Sequence, residues 1–235
     1  MNIFVTGASR GIGFSLVKVL SRNPQNKILA MSRDVEALNA ALSNLEGGAP
    51  KNVVAAAFDV RNFKENELVQ LLEQHCPQVH VLINNAGLLV NKPFLDLTQE
   101  DWQAMFDTNI FGVARLIKTA VPFLSGNGEP AHIVNIGSMG GFQGSSKFPG
   151  LSAYSASKAA LANLTECLAE ELKSVNIHSN CLCLGAVDTE MLRTAFPGYQ
   201  APVSSDEMAE FIANFSQTAH RYLNGKVVSV SLSTP

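Results

Sequence analysis

Basic charge is scarce in this sequence: 17 lysines and arginines stand against 20 aspartates and glutamates, a net charge of −3. A nucleic-acid surface or a polybasic membrane patch needs the opposite balance, so neither nucleic acid nor membrane is expected as a partner. Cysteine is scarce too. Cys76, Cys167, Cys181 and Cys183 show no metal-ligand spacing and lack the density of a disulfide framework. Free buried thiols in a reducing compartment are expected, with Cys181 and Cys183 as neighbours on one face of a buried strand. No apolar run approaches the ~20 residues of a membrane span, and nothing before the first apolar run at Ile3 reads as a basic leader with a cleavage site. The expected location is the cytoplasm, and no metal is expected.

At 46% hydrophobic content, 235 residues can bury a sizeable core. No linker, internal repeat or low-complexity tract interrupts them, so 1–235 reads as a single domain. Strands are expected over 3–5, 28–31, 53–58, 79–83, 133–136, 177–184 and 226–232. Helices are expected over 11–22, 34–45, 63–75, 98–124, 152–174 and 206–222. Continuous apolar strands separated by helices describe a parallel sheet covered on both faces. The fold class is α/β, a doubly wound Rossmann-type sheet of about seven strands. Such sheets take ligands at the carboxyl ends of their strands, and the glycine and polar residues fall there.

After the first strand comes Thr6-Gly7-Ala8-Ser9-Arg10-Gly11-Ile12-Gly13. Its glycines permit a tight turn, close approach of backbone to pyrophosphate and tight packing of the next helix. The spacing is G-x-x-x-G-x-G and not G-x-G-x-x-G. After the second strand, Ser32-Arg33-Asp34 stands where the 2′ end of an adenosine ribose would lie. Arg33 there, with Arg10 in reach, suits a 2′-phosphate. Asp34 suits a free 2′-hydroxyl or the N-cap of the next helix. NADP(H) is therefore expected ahead of NAD(H). Asp59-Val60 after the third strand could meet the adenine amino group, or Asp59 could cap a helix. Asn84-Asn85-Ala86-Gly87 after the fourth strand could meet the ribose or form a simple turn. Gly185, Val187 and Thr189 after the sixth strand could close over a nicotinamide.

Tyrosine occurs only 3 times and lysine 10 times. A Tyr-x-x-x-Lys pair is then expected by chance with a probability of about 0.13. One exists, at Tyr154 and Lys158, on one face of the predicted helix 152–174. A neighbouring ammonium lowers a phenol's pKa, and a tuned phenol can exchange a proton with a carbonyl or alcohol. Ser138, at the end of the fifth strand, lies 16 residues earlier. The glycine-rich loop between them, free to be irregular and mobile, can bring it over the same site. Asn109, mid-helix, is a poor helix former that could bend its helix.

Taken in order, these residues resemble the short-chain dehydrogenase/reductase family over about residues 3–189. The carriers are Thr6-Gly7-x-x-x-Gly11-x-Gly13, Asp59, Asn84-Asn85-Ala86-Gly87, Asn109, Ser138 and Tyr154-x-x-x-Lys158. The resemblance implies an Asn109–Ser138–Tyr154–Lys158 catalytic tetrad. It implies cofactor contacts from the glycine loop, from Asn85 and from Tyr154 and Lys158 themselves. Tyr154 would donate the proton, Ser138 orient the carbonyl, Lys158 bind the ribose, and Asn109 hold a water that connects the lysine to solvent. Homodimers or homotetramers through helices 98–124 and 152–174 are implied as well.

Three departures stand out. Leu184-Gly185 replaces the family's Pro-Gly. Lys147-Phe148-Pro149-Gly150 lengthens the Ser–Tyr interval. The tail stops at Ser233-Thr234-Pro235 without a Gly-Gly segment.

Met191, Leu192, Phe196, Pro197, Gly198, Tyr199 and Pro202 make 189–205 an apolar candidate for a substrate lid, and Arg193 is its one basic residue. An NADPH-dependent carbonyl reductase acting on a small carbonyl or alcohol is the leading expectation. A 3-oxoacyl-acyl-carrier-protein reductase is the alternative within the family. A non-catalytic NADP(H)-binding regulator or scaffold is the alternative outside it. An extended epimerase or dehydratase would need a longer segment after the sixth strand.

Overall fold

The computed structural model describes residues 1–124 and 128–232. Ser233-Thr234-Pro235, on which the short-tail reading rests, lie outside the described residues. In chain order the elements are β1 (Asn2–Thr6), α1 (Gly11–Ser21), β2 (Lys27–Ser32), α2 (Val35–Ser43), β3 (Val53–Ala57), α3 (Glu65–His75) and β4 (Val81–Asn84). There follow α4 (Gln99–Phe106), α5 (Gly112–Leu124), β5 (Ala131–Ser138), α6 (Ser152–Glu171) and β6 (Ile177–Leu184). The chain then forms β7 (Val187–Asp188), α7 (Glu190–Ala195), β8 (Val203–Ser204), α8 (Ser205–Thr218) and β9 (Val227–Val230).

Seven strands form one parallel sheet in the order β3-β2-β1-β4-β5-β6-β9. This is the expected doubly wound, Rossmann-type arrangement. Alternate residues of each central strand feed opposite layers. Ile3 and Val5, with Ile28 and Val81, pack toward α1 and α8 through Leu16, Leu20, Met208 and Ile212. Phe4, Leu29, Met31 and Leu82 pack toward α3 and α5 through Leu68, Leu72, Leu116 and Ile117. Each such side chain contributes about 1.5–3 kcal/mol when fully buried. Two-sided burial is why the strands read as unbroken apolar runs.

Some local expectations are corrected. The run 53–58 forms a strand, but β3 is a sheet edge and only Ala56 in it is buried. Cys76, Cys181 and Cys183 are buried, whereas Cys167 is exposed on α6. The expected helix 98–124 is split. It begins at a Thr98–Asp101 capping box and passes through a π-helical segment, Asp107–Phe111, before continuing as α5. Three side-chain hydrogen bonds explain the break. Thr108 Oγ1 donates back to the Ala104 carbonyl at 2.8 Å, and Asn109 is pulled sideways into the chain after β4. Such segments mark irregular hydrogen bonding inside a helix. Among the described residues no helix is long and apolar enough to cross a membrane.

Candidate active site

Sheet order reverses direction between β1 and β4, and a crevice opens beyond their carboxyl ends. Its first wall is the turn between β1 and α1. Gly7 has φ +68°, and a Cβ there would sit 2.9 Å from Ala86 Cα. A Cβ on Gly13 would sit 2.0 Å from the Gly7 carbonyl oxygen. Both positions therefore demand glycine. The turn is sewn to the end of β4. Thr6 Oγ1 accepts from the amides of Asn85 and Ala86, each at 3.1 Å. Asn85 Nδ2 donates to the Thr6 and Gly7 carbonyls at 3.0 and 3.1 Å. Asn84 lies deeper and donates to Asn135 on β5 at 2.8 Å. No side chain caps the start of α1, so its first amides are free to meet an anion.

The crevice has a volume of about 800 Å³. Ser9, Arg10, Gly11 and Ile12 line it beside Thr6, Gly7 and Gly13. Ser32 and Arg33 come from the end of β2, and Asp59 and Val60 from the end of β3. Asp34 does not join them. It caps α2, with Oδ1 accepting from the Ala37 amide at 2.8 Å. Asp59 caps no helix; it accepts from the Arg61 amide at 3.0 Å in a local turn, and α3 starts later, after Lys64.

At the other end stand Ser138, Tyr154 and Lys158, lining the crevice with Ala86, Gly87, Gly185, Val187 and Thr189. Lys158 Nζ lies 5.9 Å from the centre of the Tyr154 ring and donates to the Ile136 carbonyl at 2.8 Å. A Cβ on Gly87 would be 3.5 Å from that same Nζ, so the chain after β4 passes directly over the ammonium. Ser138 Oγ accepts from the Gly140 amide at 3.2 Å and lies close enough to the Tyr154 phenol to bias its titration.

Electrostatically the phenol differs from the expectation of a lowered pKa. Burial pushes Tyr154 up to about 12, and the Ser138 hydroxyl opposes this only in part. Burial likewise pushes Lys158 down to about 8. Desolvation disfavours both charged forms and is the largest cause of each shift.

Asn109 is fully buried and stands behind the crevice; its neighbour Thr108 lines it. Asn109 Oδ1 accepts from the Leu88 amide, and Nδ2 donates to the Leu88 carbonyl and to Ser157 Oγ, all at 2.9 Å.

Two segments enclose the tyrosine end. Ser146, Phe148 and Leu151 come from the segment between β5 and α6. That segment is tied down. Lys147 Nζ donates to the Phe142 carbonyl and Ser145 Oγ at 2.7 Å, and Gly150 O accepts from the Lys92 amide at 3.0 Å. The segment 189–205 supplies Met191, Leu192, Phe196 and Tyr199. Thr189 caps its helix α7, and Asn91 Nδ2 holds the far end through the Ala195 carbonyl at 2.7 Å. At Leu184-Gly185 the glycine is required, because a Cβ there would sit 2.5 Å from Ser231 Oγ.

The sequence model of the short chain dehydrogenases matches residues 1–200. The chain belongs to the short chain dehydrogenase family. It is 31% identical to an uncharacterized oxidoreductase of Staphylococcus saprophyticus, over 94% of this chain and 93% of that one. It is 29% identical to the 3-oxoacyl-[acyl-carrier-protein] reductase FabG of Chlamydia trachomatis, over 96% and 94%. Among solved structures, Pseudomonas aeruginosa RhlG in an active-site complex with NADP superposes with a TM-score of 0.84 at 26% identity, covering 98% of this chain and 94% of that one.

Members of this oxidoreductase family use a nicotinamide cofactor. The residues present in this dehydrogenase fit one: a side-chain-free glycine cradle, an uncapped helix start and a crevice running on to Tyr154. Several crevice residues were missed from sequence. Arg61, Leu88, Leu89, Glu190 and Ser231 belong to no motif considered there. Leu88 and Leu89 follow Asn84-Asn85-Ala86-Gly87 directly, and that adjacency was the available signal.

Proposed function

We propose that this protein is an NADPH-dependent carbonyl reductase acting on a small, uncharged carbonyl compound. The observation that carries the reading is the convergence of Ser138, Tyr154 and Lys158 on one crevice whose far end is a glycine cradle. The bound cofactor supplies the hydride. Tyr154, whose raised pKa keeps it protonated at neutral pH, donates the proton to the carbonyl oxygen. Ser138 hydrogen-bonds that oxygen and the phenol together. Lys158 places a buried positive charge beside the phenolate left behind and binds the nicotinamide ribose. Asn109 is a positioning residue that fixes Leu88 and Ser157 around them.

Arg10, Arg33 and Arg61 all line the crevice, Arg33 and Arg61 just after β2 and β3, while Asp34 is spent on capping α2. That favours a 2′-phosphate over a bare 2′-hydroxyl. Around the tyrosine end, Leu88, Leu89, Phe148, Leu151, Met191, Leu192 and Phe196 favour an aliphatic or aromatic substrate. The segment 189–205 is its lid. The free thiols suit a reducing cytoplasm. Assembly into a homodimer or homotetramer through α4, α5 and α6 is part of the same reading, and light scattering tests it.

The likeness to FabG favours a second reading, a 3-oxoacyl thioester presented by an acidic carrier protein. The predominance of apolar side chains around the tyrosine end, Leu88, Leu89, Phe148, Leu151, Met191 and Leu192, supports the free carbonyl compound. The test is NADPH consumption over a panel of ketones, aldehydes and 3-oxoacyl thioesters. Wild type turns over apolar carbonyls and Tyr154→Phe does not. Equal turnover by both ends the mechanism. Tight NADPH binding with no turnover of anything favours a non-catalytic regulator.

A further inference from the structure

Arg10 and Glu190 are 180 residues apart in sequence and face each other across the crevice mouth, with Nη1 and Oε1 at 2.7 Å. Arg10 belongs to the turn before α1, and Glu190 is the first residue of α7. The approach is close along this whole edge, since a Cβ on Gly11 would lie 3.3 Å from the Thr189 methyl group. Arg193, the cation within α7, is taken by Asp188. Glu190 therefore reaches across to the turn, and not back along its own helix.

Both side chains are 60% exposed, so as a tie the pair is weak. Its consequence lies in what else needs the guanidinium. A carboxylate and a phosphate use the same donor fork of an arginine, and two anions at one arginine repel each other. We propose that Glu190 is a specificity-determining residue that competes with the 2′-phosphate of the dinucleotide for Arg10. The proposal rests on the reading of Arg10 as a 2′-phosphate ligand. Glu190 then holds down the preference for NADPH over NADH, because only the phosphorylated cofactor has to displace it.

The experiment measures dissociation constants for NADPH and NADH by fluorescence titration in wild type, Glu190→Gln, Arg10→Gln and the double variant. Matched thermal melts confirm folding, and Glu190→Ala serves as a second carboxylate deletion. Removing the carboxylate is expected to tighten NADPH about 2- to 5-fold, the scale of an exposed ion pair, and to leave NADH unchanged. Arg10→Gln is expected to weaken NADPH and to erase that gain in the double variant. An equal shift for both nucleotides means general repulsion of the pyrophosphate and overturns the proposal. So does no shift, or a gain that survives without Arg10. Failure of the cofactor reading looks different: wild type binds NADH as tightly as NADPH, and Arg10→Gln changes neither.

Discussion

Asn109 and Leu88 hold each other by two hydrogen bonds, side-chain carbonyl to backbone amide and side-chain amide to backbone carbonyl, both at 2.9 Å. The pair joins the π-helical segment to the chain that crosses above Lys158. Removing the side chain leaves both Leu88 backbone groups without this partner in a part-buried place, while Ser157 Oγ keeps its bond to the Tyr154 carbonyl at 2.7 Å. Asn109→Ala is therefore expected to cost about 2 kcal/mol or more in denaturant unfolding. Asn109→Asp should be worse, since a carboxylate cannot donate to the Leu88 carbonyl. A fall in kcat at near-constant cofactor affinity would mark positioning of the reacting groups, beyond scaffolding.

Tyr154 and Lys158 set opposite pH dependences for the two directions of reaction. With the phenol near 12 and the ammonium near 8, carbonyl reduction should be level up to about pH 7 and decline through about 8 as Lys158 loses its charge. Alcohol oxidation needs the phenolate and should climb with pH below about 8, then level off as the same loss of the Lys158 charge withdraws support from the phenolate. Initial rates in both directions across pH 6–10 check this. A reduction rate that rises through pH 8 contradicts the assignment of Lys158.

The glycine turn, Asn84 to Gly87, Ser138 and the Tyr154–Lys158 pair were legible because each is local in sequence and follows its own strand. Strand order then carries them to one end of the sheet. Contacts made across the crevice were not legible. Arg10 meets Glu190, and Asn91 meets the Ala195 carbonyl, only once β6 lies beside β5 and the segment after it folds back. Helix α7 was invisible for a related reason: six residues carry too little periodicity, and the Thr189 cap acquires meaning only in place. The direction of the Tyr154 shift failed for a different cause. Spacing places an ammonium near a phenol but says nothing of how much water both lose, and here desolvation decides.

His132 provides a stability switch remote from the crevice. It is fully buried on β5, with Nδ1 2.9 Å from the Ser216 carbonyl and Nε2 2.9 Å from Asn180 Nδ2. The carbonyl can only accept. The Asn180 amide is oriented as a donor, because its Oδ1 accepts from the Lys226 amide at 2.9 Å. Only the neutral ring protonated on Nδ1 satisfies both, and burial, with His178 and His220 nearby, pushes His132 down to about 4. A histidine near 6.5 when unfolded and near 4 when folded stabilises fully above 6.5. That contribution is lost as pH falls toward 4, by about 3 kcal/mol. Urea unfolding at pH 7 and pH 4.5 should show the loss, and His132→Gln should flatten it.

Gly137 stands on β5 one residue before Ser138, pressed against the two thiols of β6. A Cβ there would lie 2.7 Å from Cys181 Sγ and 3.0 Å from Cys183 Sγ, and the sulfurs are themselves 4.0 Å apart. Gly137→Ala should therefore cost about 1–3 kcal/mol by overpacking. The displaced strand end should also move Ser138 and reduce kcat. The cost belongs to a specific collision, so a second change can relieve it. Cys181→Ala alone removes a buried sulfur and is mildly destabilising. Combined with Gly137→Ala it makes room for the new methyl group, and the double variant should be more stable than the sum of the single costs predicts. Additive losses in the unfolding cycle would mean that Gly137 is needed for its backbone alone and that the thiol pair does not constrain the strand carrying Ser138.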